Sequence, residues 1–222
     1  MGSKARTEAF SDGIFAIAAT LLVLDLAVPK PGPSLLAGLL QEWPAYAAYA
    51  TSFLTIGIIW VNHHAVLERL ERVDRGLLFL NVVFLLFVAL IPFPTKVLAQ
   101  YLQSGGDYAH VAAAAYGVAM ILMGISFSIL NYYSMARGLI PVQRRLTLWQ
   151  QVRYSIGLLM YAVGTAVSLL DARAGLLIYA GMAFYYVIEP LLAARQAVLP
   201  ASPKPTSPPV PPAPASASDP RG

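Results

Sequence analysis

The first apolar segment of the chain begins with polar and ionisable side chains, at the depth where a membrane helix enters the bilayer. These residues are Arg6, Glu8, Ser11 and Asp12. A charge at the centre of a bilayer costs about 2.5–3.5 kcal/mol on insertion scales, so an ionisable residue in a spanning helix indicates a function. At the headgroup level, Asp12 would instead cap the helix N-terminus, where unpaired N–H groups favour a carboxylate. The position of Asp12 is compatible with both interpretations.

A second polar cluster, the WVNHH motif at residues 60–64, lies near the same membrane depth in the second apolar segment. Buried ionisable groups need partners, so one interpretation is a hydrogen-bonded network between the two clusters. The alternative is a metal site built from Asp12, His63 and His64. Adjacent histidines diverge by about 100° on a helix and rarely bind one ion, which favours the network. Because imidazole groups ordinarily change charge near neutral pH, a pH-sensing role is also open.

The first segment also places a stripe of side chains along one side of a helix. At about 100° per residue these side chains fall within an arc of about 100°: Phe10, Gly13, Ile17, Thr20, Leu21 and Leu24. The stripe is either a seam that packs against another helix or the lining of a pore. In a pore, the apolar side chains would gate by dewetting and the Thr20 hydroxyl would meet a partly dehydrated cation. Asp12 falls outside the stripe and is expected to point toward neighbouring helices.

The composition is that of a membrane protein. Of the 222 residues, 58% are apolar and 12% are charged, whereas soluble domains are about 45–50% apolar and about 25% charged. The absence of cysteine excludes disulfides, thiol catalysis and cysteine-ligated metals. The sequence contains no nucleotide-binding loop, no HExxH motif and no serine–histidine–aspartate pattern, so we expect neither an enzyme nor a cofactor.

Six segments are long and apolar enough to cross the bilayer as helices, each of which needs about 20 residues. The predicted fold is all-α, a polytopic membrane protein with six transmembrane helices at 8–28, 44–67, 76–99, 108–133, 152–170 and 175–194. Pro92 and Pro94 are expected to end or kink the third helix. The first segment lacks a cleavage pattern and is expected to be retained. Residues 196–222, rich in Pro, Ala and Ser, are expected to form a disordered cytoplasmic tail.

The basic residues predict the orientation of these helices. The loops on the N-terminal side of the membrane hold most of the 15 Lys and Arg residues, whereas the opposite loops keep only Lys30, Lys96 and Arg173. Because positive charge is retained on the cytoplasmic side, both termini are expected to be cytoplasmic, in the plasma membrane. The net charge of +4 therefore reflects topology and does not call for a nucleic-acid partner.

Three stretches together resemble the transmembrane protein 175 family of potassium channels. The first is Arg6-x-x-x-Phe10-Ser11-Asp12, which matches the family's RxxxFSD signature and is followed by an apolar helix. The second is WVNHH at residues 60–64, and the third comprises the Asn81 segment with Ile91-Pro92-Phe93 at its end. The resemblance covers residues 6–195, so it leaves only the tail outside.

The resemblance implies a potassium-selective channel without a P-loop filter. The bacterial members assemble as tetramers in the lipid bilayer, and the first helix of each subunit lines the pore. By that pattern Ile17 is the hydrophobic constriction, Leu21 and Leu24 are further apolar layers, and Thr20 is the layer linked to selectivity. Arg6, Ser11 and Asp12 would form a network with a histidine of the second helix, with His63 favoured over His64. Potassium is the permeant ion, and no metal is resident.

Two other functions are compatible with the same residues. A proton- or ion-coupled transporter would use Asp12 and His63 and would show saturable flux of a solute. The apolar stripe argues against it, because a substrate site needs more polar groups at mid-membrane. A scaffold that recruits partners through its Pro-rich tail would lose its role when that tail is deleted, whereas a channel would survive the deletion.

Overall fold

The computed structural model describes residues 4–144 and 148–198, and these ranges contain helices and no strands. The predicted all-α fold is therefore confirmed. The α-helices are α1 Lys4–Leu21, α2 Leu35–Gln41, α3 Trp43–Arg69, α4 Arg75–Leu90, α5 Pro92–Tyr101, α6 Gly106–Ala136, α7 Leu148–Ser168 and α8 Ala172–Val198. The predicted tail lies outside the described residues from position 199 onward, while residues 196–198 belong to the end of α8.

Four helical stretches in the described ranges are long and apolar enough to cross a bilayer. They are Lys4–Asp25, Trp43–Arg69, Arg75–Tyr101 and Gly106–Ala136. Two shorter apolar stretches, Ile156–Ser168 and Ala172–Ile188, lie in α7 and α8. Helix α3 has 27 residues. At a rise of about 1.5 Å per residue, its length exceeds the hydrocarbon thickness of about 30 Å.

The outer end of the first helix differs from the prediction, which continued the helix to Val28. The α-helix ends at Leu21 and tightens into the 3-10 turn Leu22–Asp25, after which the backbone at Leu26 is extended. Two features accompany this end. Pro29 disfavours a helical conformation at Val28, and the carboxylate of Asp25 pairs with Lys96 of α5, with Nζ and Oδ1 3.1 Å apart.

The third predicted span is broken near its outer end. Helix α4 ends at Leu90, and Pro92 stands in the first turn of α5, where its missing N–H leaves no helical bond unmade. The predicted break at this proline is present. At the other end of α4, the carboxylate of Asp74 caps the helix by accepting the N–H of Leu77 at 2.8 Å.

Helix α6 packs against α4, α5, α7 and α8, while α1 lies at the edge of the bundle against α3 and α4. Small residues permit this close packing. A Cβ at Gly117 of α6 would overlap the side chains of Thr165 and Tyr179. Because only one side of α1 has neighbours within the subunit, its opposite side remains uncovered.

Candidate functional site

Helix α1 has one packed face and one open face. The packed face follows the spacing of a helix that buries one side, with Thr7, Ser11, Phe15, Ala18 and Leu22 all buried. These side chains contact the α3 and α4 helices, which pack on this side of α1. The α1 helix therefore has a fixed rotation within the subunit.

The open face carries the apolar stripe predicted from the sequence. The exposed fractions of its large side chains are 54% for Phe10, 60% for Ile17 and 42% for Leu21, and Leu24 in the 3-10 turn that follows is 74% exposed. A Cβ added at Gly13, on the same face, would meet nothing within 4 Å. The subunit does not use this stripe as an internal packing seam.

Thr20 lies on the open face with its hydroxyl directed along the helix. The Oγ1–H donates to the carbonyl oxygens of Ala16 and Ile17, at 2.9 and 3.0 Å. Since the hydroxyl proton is used by these carbonyls, the lone pairs of Oγ1 are directed away from the backbone. Thr20 thus presents an oxygen acceptor one turn beyond Ile17.

A buried hydrogen-bonded chain ties the packed face of α1 to α3 and α4. Ser11 donates to the carbonyl of Thr7 at 2.8 Å and accepts from Nδ2 of Asn81 at 3.0 Å. Oδ1 of Asn81 lies 2.8 Å from Nε2 of His63, so this nitrogen is assigned as the donor. All three side chains are buried, and Asn81 links the helices that carry the other two.

Aromatic rings enclose the imidazole of His63. It stacks on Phe84 of α4 with ring centroids 5.1 Å apart, and Phe15 of α1 lies 5.5 Å away. The centroids of these two phenylalanines are themselves 6.0 Å apart. The aromatic contacts restrict the ring to the orientation that meets Asn81.

Asp12 belongs to a separate contact on the same side of the bundle. Its carboxylate is exposed and accepts the indole N–H of Trp60 on α3, with Nε1 and Oδ1 2.8 Å apart. The two residues border a cavity of about 390 Å³ between α1 and α3. Asp12 is therefore a bridge between α1 and α3, while it remains open to the surroundings.

The adjacent histidine, His64, contacts residues other than those of the buried chain. His64 stacks on Trp60 with centroids 5.8 Å apart, and its Nε2 lies 3.5 Å from Oε1 of Glu68. Arg6 is exposed in the first turn of α1. Among the described residues, no group of three potential ligands lies close enough to hold a metal ion, so Asp12, His63 and His64 do not assemble a metal site.

Two residues that were not predicted as site residues contact the predicted ones. Asn81 entered the sequence analysis only through the family resemblance, and the structure places its side chain between Ser11 and His63. Trp60 was known only as part of the WVNHH motif, yet it is the partner of Asp12. The available signal for Asn81 was a lone amide within the apolar run GLLFLNVVFLLFVAL.

Polar contacts also hold α1 at its two ends. At the inner end, Nζ of Lys4 donates to the carbonyl of Glu68 at 2.9 Å, at the close of α3. At the outer end, Asp25 pairs with Lys96 of α5. Together with the Ser11–Asn81–His63 chain, these contacts fasten α1 at several depths and leave the stripe facing outward.

The sequence of the chain matches the family model described as the endosomal/lysosomal potassium channel TMEM175 over residues 6–92. A protein named as a potassium channel in Streptomyces collinus is 42% identical over 195 residues, which covers 84% of this chain and 92% of that protein. The chain belongs to the TMEM175 family.

Other TMEM175 relatives agree with this assignment. A protein named as a potassium channel in Chamaesiphon minutus is 34% identical over 193 residues, covering 83% of this chain and 93% of that protein. The crystal structure of a TMEM175 homologue from the same organism superposes with a TM-score of 0.72, over 83% of this chain and 96% of the other. Human TMEM175, named as a proton channel, is 41% identical over 100 residues, or 40% of this chain and 20% of that protein.

The residues matched by the family model include the helices that carry the features described above. The matched range contains α1 from Arg6 onward and all of α3 and α4, and hence the stripe, the Ser11–Asn81–His63 chain and the Asp12–Trp60 contact. The resemblance inferred from RxxxFSD and WVNHH is thereby confirmed. The chain is a membrane protein with several apolar helices, as the family assignment requires.

Proposed function

We propose that this chain forms a potassium channel in the plasma membrane, with the open face of α1 lining the pore. The observation that carries the proposal is the exposed stripe Phe10, Ile17, Leu21 and Leu24 on a helix whose other face is fixed. A helix whose open face met only lipid would not need so many packing contacts and hydrogen bonds on its other face. A fixed rotation is what a pore lining needs, because a small turn of α1 would change which side chains face the ion.

One subunit does not enclose a path on this face, so the mechanism requires several copies of α1 around an axis. We propose a homotetramer, which is the assembly implied by the resemblance to bacterial family members. A closed cyclic arrangement would bring equivalent stripes together, so that Ile17 of each subunit faces the axis. Leu21 and Leu24 would form further apolar layers toward the outer side.

The chemistry of such a pore differs from that of a carbonyl-lined filter. A ring of apolar side chains repels water, so a narrow constriction at Ile17 would limit flow by dewetting. A ring of Thr20 oxygens one turn further would replace part of the hydration shell of a cation that passes. The hydrogen bonds of Thr20 to Ala16 and Ile17 support this role, because they leave its lone pairs available.

Potassium is proposed as the permeant ion because of the names of the relatives whose matches cover most of the chain. The Streptomyces collinus and Chamaesiphon minutus proteins are named as potassium channels, and each match covers over four-fifths of this chain. The animal relatives are named as proton channels but match only 40–46% of it. Flux of potassium, sodium and protons should therefore be measured on the same preparation.

A coupled transporter that uses Asp12 and His63 is the second candidate, because the Asp12 carboxylate is exposed at the border of a cavity. The Asp12→Asn variant distinguishes a channel from a coupled transporter. The amide oxygen still accepts from Trp60, so a channel should retain its potassium flux. We expect stability to fall by about 1 kcal/mol, because a neutral acceptor bonds less strongly than a carboxylate.

The measurement is potassium uptake into liposomes that contain purified wild-type protein or the Asp12→Asn variant, over a series of potassium concentrations. Asp12→Glu serves as the matched control that keeps the charge. A channel predicts similar flux in all three proteins and little saturation. Flux that saturates at low concentration and disappears only in Asp12→Asn would instead identify a proton-coupled transporter.

A further inference from the structure

A groove lies on the surface between α3 and α8, close to the start of both helices. It has a volume of about 680 Å³, within the range of small-molecule sites. Small residues create the space, namely Ala47 and Ala50 on α3 with Ala180 and Gly181 on α8. The groove is unrelated to the open face of α1, which lies on another helix.

The walls of this α3–α8 groove are apolar, and they belong to a helix long enough to cross a bilayer and to the apolar stretch of α8. Leu177 and Phe184 line it with exposed fractions of 72% and 62%, so in a bilayer its side walls would meet hydrocarbon. Trp43 lines the end of the groove where α3 begins, with 44% of its surface exposed. Tryptophan in this position marks the membrane–water interface. The groove thus runs from the interface into the apolar layer, as an acyl chain does.

A positive charge stands at the same end of the groove. Arg173 lines it, is exposed, and forms no ion pair with a carboxylate within residues 4–144 and 148–198. The nearby carboxylate of Asp171 accepts the N–H groups of Arg173 and Ala174 at 2.8 and 3.1 Å, and its charge also attracts the Arg173 guanidinium from beyond ion-pair distance. A guanidinium beside an apolar slot complements a phosphate that carries an acyl chain.

We propose that the α3–α8 groove binds one acyl chain of an anionic phospholipid, whose phosphate contacts Arg173. The apolar walls bind the chain, and the guanidinium selects the anionic headgroup at the interface. The binding does not depend on ion conduction, so it holds whether or not the open face of α1 is a pore.

The test is native mass spectrometry of the full-length protein, exchanged from detergent into equal amounts of phosphatidylglycerol and phosphatidylcholine. Arg173→Gln removes the charge, and Gly181→Leu fills the groove. A Cβ at Gly181 meets nothing within 4 Å, so this variant should fold. Lys30→Gln, another outer charge, and Ala115→Leu, an exposed site on α6, are the matched controls.

We expect the wild type and both controls to retain phosphatidylglycerol over phosphatidylcholine. Arg173→Gln should lose this preference several-fold, and Gly181→Leu should lose the bound lipid of both kinds. Equal retention in all five proteins would overturn the proposal. A change of oligomeric state in Gly181→Leu with unaltered lipid retention would also overturn it, because a second copy of the chain would then occupy the groove.

Discussion

Replacing Ile17 by alanine should raise the potassium flux through the protein and weaken its preference for potassium over sodium. Ile17 is 60% exposed on the open face of α1 and contributes little to packing within the subunit, so its truncation should cost little stability. In the proposed pore the change widens an apolar constriction, which lowers the dewetting barrier to any hydrated cation. Ile17→Asn should act in the same direction, because a polar side chain holds water at that point.

The experiment compares potassium and sodium flux in liposomes for wild type, Ile17→Ala and Ile17→Asn. Ile17→Leu is the control of conserved volume and should stay close to wild type. Leu86→Ala removes a similarly exposed side chain from α4, away from the stripe, and should leave both fluxes unchanged. If neither Ile17→Ala nor Ile17→Asn changes conductance or selectivity, the pore does not pass this residue.

Replacing Asn81 by leucine should strongly destabilise the protein, although the two side chains are of similar size. The leucine removes both bonds of the amide, so Nε2 of His63 is left buried without its partner and Ser11 loses a donor. Each buried polar group that loses its partner costs about 1–3 kcal/mol. The rotation of α1 would also be less well fixed, so we expect reduced potassium selectivity in whatever protein folds.

The measurement is the thermal unfolding midpoint of purified protein in detergent, followed by flux in liposomes. Asn131→Leu is the matched control, because Asn131 is also a buried amide in a membrane helix, yet its Oδ1 has no hydrogen-bond partner in the described part of the chain. That variant should be as stable as wild type or more so. An equal decrease of the unfolding midpoint and of the flux in the two variants would show that the Ser11–Asn81–His63 chain makes no specific contribution to stability or selectivity.

Much of the fold could be predicted from the sequence because bilayer thickness and helical periodicity act on each segment alone. Runs of apolar residues predicted helices, and Pro92 predicted the break between α4 and α5. The stripe on α1 was also predictable, since residues three and four apart share one side of a helix. Its exposure in the subunit was not, because that depends on where α3 and α4 pack.

The contacts between helices could not be predicted from residue types. His63 and His64 are adjacent and chemically identical, and only the rotation of α3 decides that the first meets Asn81 while the second turns to Glu68. The partner of Asp12 likewise depends on the rotation that brings Trp60 to it. The early end of α1 is accompanied by a tertiary ion pair between Asp25 and Lys96, which no local pattern of residues 22–28 reveals.

The most direct test of the proposed pore is a single cysteine at Leu24, which is possible because the natural chain contains no cysteine. Leu24 is 74% exposed at the outer end of the stripe. Potassium flux into liposomes would be measured before and after a membrane-impermeant cationic thiol reagent. Leu170→Cys, 82% exposed in the turn between α7 and α8, is the control.

The proposal predicts potassium-selective flux in all proteins and its block by the reagent in Leu24→Cys alone. Reaction at Leu170→Cys, verified by mass, should leave the flux unchanged. Full labelling of Leu24→Cys with no loss of potassium flux would contradict a pore lined by α1. Absence of potassium flux in folded, oligomeric wild-type protein would contradict the channel itself.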